Sequence, residues 1–172
     1  MQPERTPSIL TLRPAAVLFD RDGTLVYDHP YNGDPAKVVV APDARASIDR
    51  LRERGLPIGV LTNQSGVGRG LITLRDMERV NDRVEELLGA FDGWFICPHA
   101  PQDDCECRKP KPKLIFDAAD AFGVDAERIV VVGDRNSDLE SAHNAGAIGL
   151  QVDERHTLAR VVKQILTMLD VS

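Results

Sequence analysis

Five short apolar runs recur along the chain, separated by stretches whose apolar residues return every three or four positions. The runs are "AAVLFD" (15–20), "PIGVLT" (57–62), "GWFIC" (93–97), "RIVVVGD" (128–134) and "AIGLQV" (147–152). Each has the length of a strand and little polar alternation, so each reads as a strand buried on both faces. Between them, Asp43 is placed to cap a helix that Gly55 closes, and Leu74, Met77, Val80, Val84, Leu87 and Leu88 form a helical stripe. Leu114, Ile115, Ala118, Ala119 and Phe122 repeat that stripe ahead of Gly123. A last stripe, Leu158, Val161, Val162, Ile165, Leu166 and Leu169, predicts a helix packed on the sheet rather than on a partner. Alternation of this kind predicts an α/β fold: a Rossmann-like parallel sheet with right-handed crossovers and helices on both faces.

The chain has 172 residues, enough for one domain whose core needs no covalent staple. The expectation is a single domain over 1–172, with residues 1–14 as a flexible extension. "MQPERTPSILTLRP" lacks the apolar centre of a signal peptide and no run of 18 apolar residues occurs, which predicts a cytoplasmic protein with no membrane partner. A net charge of −6, spread along the chain, argues against a nucleic-acid surface, because phosphate backbones are bound by concentrated Lys and Arg. No exposed apolar stripe demands a partner chain, so a monomer is expected.

Polar residues gather just after the strands: Asp20 and Asp22, Thr62 and Asn63, then Asp134 and Asp138. In parallel sheets that carboxyl edge is where ligands bind. "FDRDGTL" (19–25) places two acids two residues apart before a glycine that permits a sharp turn. A calcium loop of the EF-hand kind does not fit, since its required glycine position holds Leu25 and no flanking helices are predicted. "GVGRG" (66–70) lacks the spacing and the terminal Lys-Ser/Thr pair of a nucleotide phosphate loop. A turn rich in Asp and Gly explains the first stretch alone, but not the hydroxyl, the lysine and the second acid pair at the other strand ends.

"DRDGT", "LTNQSG", "RKPKP" and "VVGDRNSD" resemble, in order, the four motifs of the haloacid dehalogenase-like phosphatases. The resemblance runs from about Ala15 to Val152, and it implies a phosphatase with a parallel α/β sheet. Physical reasoning assigns parts beside it. Asp20 is the candidate nucleophile, since a carboxylate that takes a phosphoryl group splits one hard displacement into two easier ones. Asp22 is the candidate acid that protonates the leaving oxygen and the base that then activates water. A phosphate dianion needs a cation beside these acids, and oxygen ligands suit magnesium: Asp20, the Asp22 carbonyl and Asp134. Lys109 and Thr62 would hold the transferring phosphoryl oxygens, and Asp138 would orient the metal shell.

Every cysteine of the chain lies in "CPHAPQDDCEC" (97–107). Three thiols cannot pair off, and in a reducing compartment such a cluster points to a metal. Cys97, His99, Cys105 and Cys107 supply four ligands, enough to close a tetrahedral structural zinc site with no position open for catalysis. The loop leads into Arg108 and Lys109, so fixing it would aim two cations at the substrate.

Within the family, this loop resembles the branch containing D-glycero-D-manno-heptose 1,7-bisphosphate phosphatases and histidinol-phosphate phosphatases. "TNQSGVGRG" (62–70) and "DHPY" (28–31) look like the heptose enzymes, which implies substrate contacts from Asp28, His29, Pro30, Tyr31, Asn63, Gln64 and Ser65. The short span from His99 to Cys105, and Arg135 in "GDR", look more like the histidinol-phosphate enzymes. The segments that would touch substrate speak more directly to specificity than loop length does, so removal of the 7-phosphate of a heptose bisphosphate is the favoured activity. His143 and His156 fall in helical patterns and receive no role.

About forty residues separate Asp22 from Thr62, and they already hold a helix and a strand, leaving no room for a large cap domain. An uncapped site favours transfer to water over transfer to a second acceptor, as in a mutase. A zinc-stabilised binding module without catalysis would account for the Cys/His loop but not for the clustered acids, which are costly without a task.

Overall fold

The computed structural model describes residues 13–171. Of the extension expected over 1–14, residues 1–12 lie outside the described part. Five strands form one fully parallel sheet: β1 (Ala16–Phe19), β2 (Ile58–Asn63), β3 (Gly93–Cys97), β4 (Ile129–Gly133) and β5 (Ile148–Gln151), in the order β3-β2-β1-β4-β5. All five fall within the five apolar runs or one residue beyond. β1 is central, with Phe19 in register with Val60 on one side and Val132 on the other. β2 and β3 step outward on one side of β1 and β4 and β5 on the other, so the order reverses between β1 and β4. At that switch point the carboxyl ends diverge and open a crevice.

Alternation along the buried strands divides the core into two layers. Val17, Phe19, Ile58, Val60, Val130 and Val132 face α1 (Ala44–Glu53), the end of α3 (Leu74–Leu88) and α6 (Leu158–Asp170). Ala16, Leu18, Leu61, Ile129 and Val131 face α4 (Lys113–Phe122) and α5 (Asn136–Ala145). The α6 stripe lies buried against the sheet as its spacing predicts. Gly123 ends α4 in the left-handed conformation that a glycine adopts without penalty.

Three local expectations differ. Asp43 precedes α1 but makes no side-chain capping bond, because its own backbone is left-handed (φ 59°) and turns the carboxylate away from the first N–H groups. Leu74 begins the α3 stripe yet is 54% exposed, and the buried face of that helix starts only at Met77. A four-residue helix, α2 (Ser65–Gly68), follows β2 directly within the "TNQSG" segment.

Between Asp22 and β2 the chain holds two isolated bridges, Asp22 with Val26 and Val26 with Val40, a short 3₁₀ turn at Pro35–Lys37, and α1. Among the described residues no helix is long and apolar enough to cross a membrane.

Candidate active site

Asp20 follows the last residue of β1, and its backbone N–H still bonds to the carbonyl of Val132 on β4, so the sheet fixes its direction. Its side chain is buried, and Lys109 Nζ donates to Oδ1 at 3.0 Å. Burial pushes the Asp20 carboxyl up to about 7; Lys109 pulls it back and the neighbouring Asp138 and Asp22 push it further. Lys109 is also buried, donating to the Leu61 carbonyl at 3.0 Å and to Asp138 Oδ1 at 2.5 Å. Burial opposes its charge, but the two carboxylates outweigh it and hold its pKa above the ordinary lysine value.

Asp138 lies in the first turn of α5, fully buried, and its second oxygen accepts from the Arg135 backbone N–H at 3.0 Å. Both its oxygens are thus engaged. Asp134, just after β4, is partly open; burial raises its pKa and Asp138 adds to the effect. Oxygens of Asp20, Asp134 and Asp138 lie within 4.8 Å of one another. Three acids around one lysine leave excess negative charge, and hard carboxylate oxygens are the donor set a small divalent cation takes. Gly23 makes this approach possible: its backbone is left-handed (φ 83°), and a Cβ there would lie 2.3 Å from Asp134 Oδ2.

Asp22 points to the other wall. Arg21 grips its carboxylate with Nε and Nη2, each at 3.1 Å, and Gln64 Nε2 donates to Oδ2 at 2.8 Å. The same Gln64 nitrogen reaches the Thr62 hydroxyl at 2.9 Å. Asn63 clamps the chain beside the lysine: its Oδ1 accepts from the Lys109 N–H at 3.1 Å and its Nδ2 donates to the Lys109 carbonyl at 3.4 Å.

The sulfurs of Cys97, Cys105 and Cys107 and Nδ1 of His99 also lie within 4.8 Å of one another. Cys97 to Cys105 is 3.5 Å, Cys97 to His99 3.6 Å and His99 to Cys107 3.2 Å. Those separations are close to the edges of a tetrahedron with metal–sulfur bonds of about 2.3 Å, which are about 3.8 Å long. Burial pushes the Cys97 thiol up to about 12. Burial raises Cys105 as well, but backbone N–H groups, Arg108's first, bring it down to about 7. The donor chemistry and geometry fit a four-coordinate metal. The loop is also stitched to β2 and α2: Gln64 N–H bonds to the Cys97 carbonyl at 2.7 Å and Gly68 N–H to the Pro98 carbonyl at 2.8 Å. A Cβ on Gly68 would meet the Ala100 nitrogen at 2.3 Å, so the close approach needs glycine.

The acids, the lysine and the loops enclose a cleft of about 330 Å³. Asp20, Asp22 and Lys109 form its depth, with Asp28, Pro30, Tyr31, Asn63, Gln64 and Ser65 along its sides. Arg135 sits at the mouth and donates to Asp28 Oδ2 at 2.9 Å, joining the "GDR" and "DHPY" segments. Arg108 enters from the cysteine loop, and its Nη1 is buried without a protein partner. His29, expected near the substrate, is exposed and does not line the cleft, because the turn after Asp28 carries it outward. Arg69, Gly66 and Ser137 line the cleft and were not anticipated; Arg69 lies over the Tyr31 ring, 5.8 Å from its centroid.

Acids crowded round one lysine repel a lone anion, yet they suit a phosphate ester that is accompanied by a cation and attacked by a carboxylate. The enzyme is a phosphatase. A family model described as haloacid dehalogenase-like hydrolase matches residues 32–146, and the chain belongs to that family. It is 36% identical over 165 residues to the D-glycero-beta-D-manno-heptose-1,7-bisphosphate 7-phosphatase of Rhodopseudomonas palustris, covering 90% of this chain and 91% of that one. The enzyme of the same name from Pseudomonas aeruginosa is 37% identical over 131 residues, 73% of this chain and 74% of its own. Among solved structures, the D,D-heptose 1,7-bisphosphate phosphatase of B. bronchiseptica, complexed with magnesium and phosphate, is similar with a TM-score of 0.80 and 29% identity, over 88% of this chain and 98% of that one.

Proposed function

We propose that this phosphatase removes the 7-phosphate of D-glycero-D-manno-heptose 1,7-bisphosphate. The observation that carries the reading is the surplus of guanidinium groups around one cleft. Lys109 lies beside the nucleophile, while Arg69, Arg108 and Arg135 line the walls and mouth. One phosphoryl group engaged by Lys109 and Thr62 leaves Arg69 and Arg108 over, with Arg135 already paired to Asp28, and the partnerless Nη1 of Arg108 calls for an anion. A substrate with two phosphates supplies both. The names of the relatives support the same choice.

In this mechanism Asp20 Oδ2 attacks phosphorus and the bond from phosphorus to the sugar oxygen breaks, while Asp22 delivers a proton to that oxygen. Water then attacks the aspartyl phosphate, Asp22 takes its proton, and inorganic phosphate leaves Asp20 free. Lys109 Nζ and Thr62 Oγ1 hold the phosphoryl oxygens, and Asp138 keeps Lys109 charged and aimed. Asp20, Asp134 and the Asp22 carbonyl are the candidate ligands of a magnesium ion, which would offset the repulsion between the acids and the phosphate. Cys97, His99, Cys105 and Cys107 are the candidate ligands of a structural zinc. Arg108, Asp28, Tyr31, Ser65 and Arg135 would receive the remainder of the substrate.

The test is magnesium-dependent phosphate release from both anomers of heptose 1,7-bisphosphate and from histidinol phosphate, compared by kcat/KM. A heptose preference is expected. A preference for histidinol phosphate would transfer specificity to the short cysteine loop and overturn this reading of the arginines.

A further inference from the structure

One buried polar network remains unused by the chemistry above. Arg21 stands between the two site acids in sequence, yet it is 1% exposed, among the most enclosed side chains of the molecule. Its guanidinium is shared by three residues. Nε and Nη2 form a fork on Asp22, Nη2 also donates to Gln64 Oε1 at 2.9 Å, and Nη1 donates to Asn81 Oδ1 at 2.7 Å. Asn81 belongs to α3, sixty residues away in sequence, and is itself 7% exposed. It does not line the cleft.

A guanidinium fork fixes the plane of the carboxylate it binds, and it does so only as firmly as the guanidinium is itself fixed. Arg21 hangs on a flexible side chain, and the rigid point in the network is the Asn81 amide, held on a fifteen-residue helix. Gln64 closes the circuit by bonding both Asp22 and Thr62, so the acid and the phosphoryl-holding hydroxyl share one frame.

We propose that Asn81 is a positioning residue for the reaction: through Arg21 it sets the direction of the Asp22 carboxyl relative to the leaving oxygen, without touching substrate. The proposal rests on the reading of Asp22 as the proton donor. During attack, the Asp20 Oδ2–phosphorus bond forms, the bond from phosphorus to the leaving oxygen breaks, and that oxygen takes the Asp22 proton. A misdirected Asp22 therefore hurts most when the leaving oxygen is strongly basic, and least when it departs readily without a proton.

The experiment measures kcat/KM, which ends at departure of the leaving group, for glycerol 3-phosphate and 4-nitrophenyl phosphate with wild type, Asn81→Leu, Asn81→Asp and Asp22→Asn. Asn81→Leu keeps size but removes the acceptor for Arg21; Asn81→Asp keeps the acceptor. Asp22→Asn is expected to lower the alkyl ester at least about 100-fold more than the aryl ester. Asn81→Leu is expected to show the same bias at about tenfold, with Asn81→Asp returning the ratio to the wild-type value. Equal losses on both esters, or no loss, in an Asn81→Leu protein whose Asp22→Asn counterpart shows the bias would confine Asn81 to holding the fold and overturn the proposal. Absence of bias in Asp22→Asn itself would overturn the proton-donor reading on which the proposal stands.

Discussion

Asp20 shows how one residue's chemistry follows from its surroundings. The end of β1 buries it, burial raises its pKa to about 7, and Lys109 at 3.0 Å offsets part of that cost. Asp20→Asn removes the proposed nucleophile and also a desolvated charge, while Lys109 keeps Asp138 as partner. Turnover is therefore expected to fall at least about a thousandfold, with a melting temperature no lower than wild type; substantial residual turnover would remove Asp20 from the nucleophile position. At this scale the grouping of the acids with Thr62 was legible, because strand ends in a parallel sheet converge by topology, whereas Lys109 reaches the same edge from the cysteine loop after β3. Arg21 and Asn81 were not. An arginine between two aspartates reads as solvated, and an asparagine in a polar stretch of helix reads as surface; both are buried where they meet, at the hydrogen bond between them. His29 illustrates the reverse, a motif residue that its own turn carries away from the cleft.

Elements were legible wherever burial imposed a period. The two-sided runs predicted β1 to β5, and the α6 stripe predicted its buried face, since both patterns are set by packing rather than by local preference. Ile165, fully buried on α6, fills the layer that also holds Val17 and Val130. Ile165→Ala is expected to cost about 2–5 kcal/mol in urea unfolding, and a cost near zero would mean that α6 does not seal that layer. Ends of elements were less legible, because caps depend on backbone angles that residue type alone leaves open. Asp43 has the right chemistry and the wrong φ, whereas Thr73 caps α3 in a reciprocal pair with Asp76. Backbone and side-chain bonds from Thr73 lower the Asp76 pKa, so this contribution is present above pH 3.8 and is lost as pH falls through the depressed value. Thr73→Ala should lower Tm by about 2–4 °C at neutral pH, with the gap to wild type narrowing in acid; a gap independent of pH would leave Asp76 out of the cap.

For the whole molecule, the question is why a sheet with two apolar layers carries a cysteine loop at all. The core does not need it: the two layers are built from strand and helix residues, and Cys97 alone among the thiols is fully buried in one of them. The loop's influence runs instead toward the cleft. It starts at the end of β3, crosses α2 through the contacts at Gln64, Gly68 and Ala100, and delivers Arg108 and Lys109, the latter clamped by Asn63. Three thiols and an imidazole face one another across 3.2–3.6 Å, a convergence of soft ligands that a bound metal would account for. About one zinc per chain is expected in the purified protein. Its removal by a chelator should leave far-UV circular dichroism nearly unchanged while kcat/KM falls steeply, because Lys109 loses its fixed approach to Asp20 but the sheet does not unfold. Re-addition of zinc should restore turnover, and Cys105→Ser should reproduce the loss without chelator. Activity that survives complete zinc removal would show that Asn63 and the sheet hold Lys109 unaided. Global unfolding on chelation would instead make the loop part of the core, against the arrangement of the two layers.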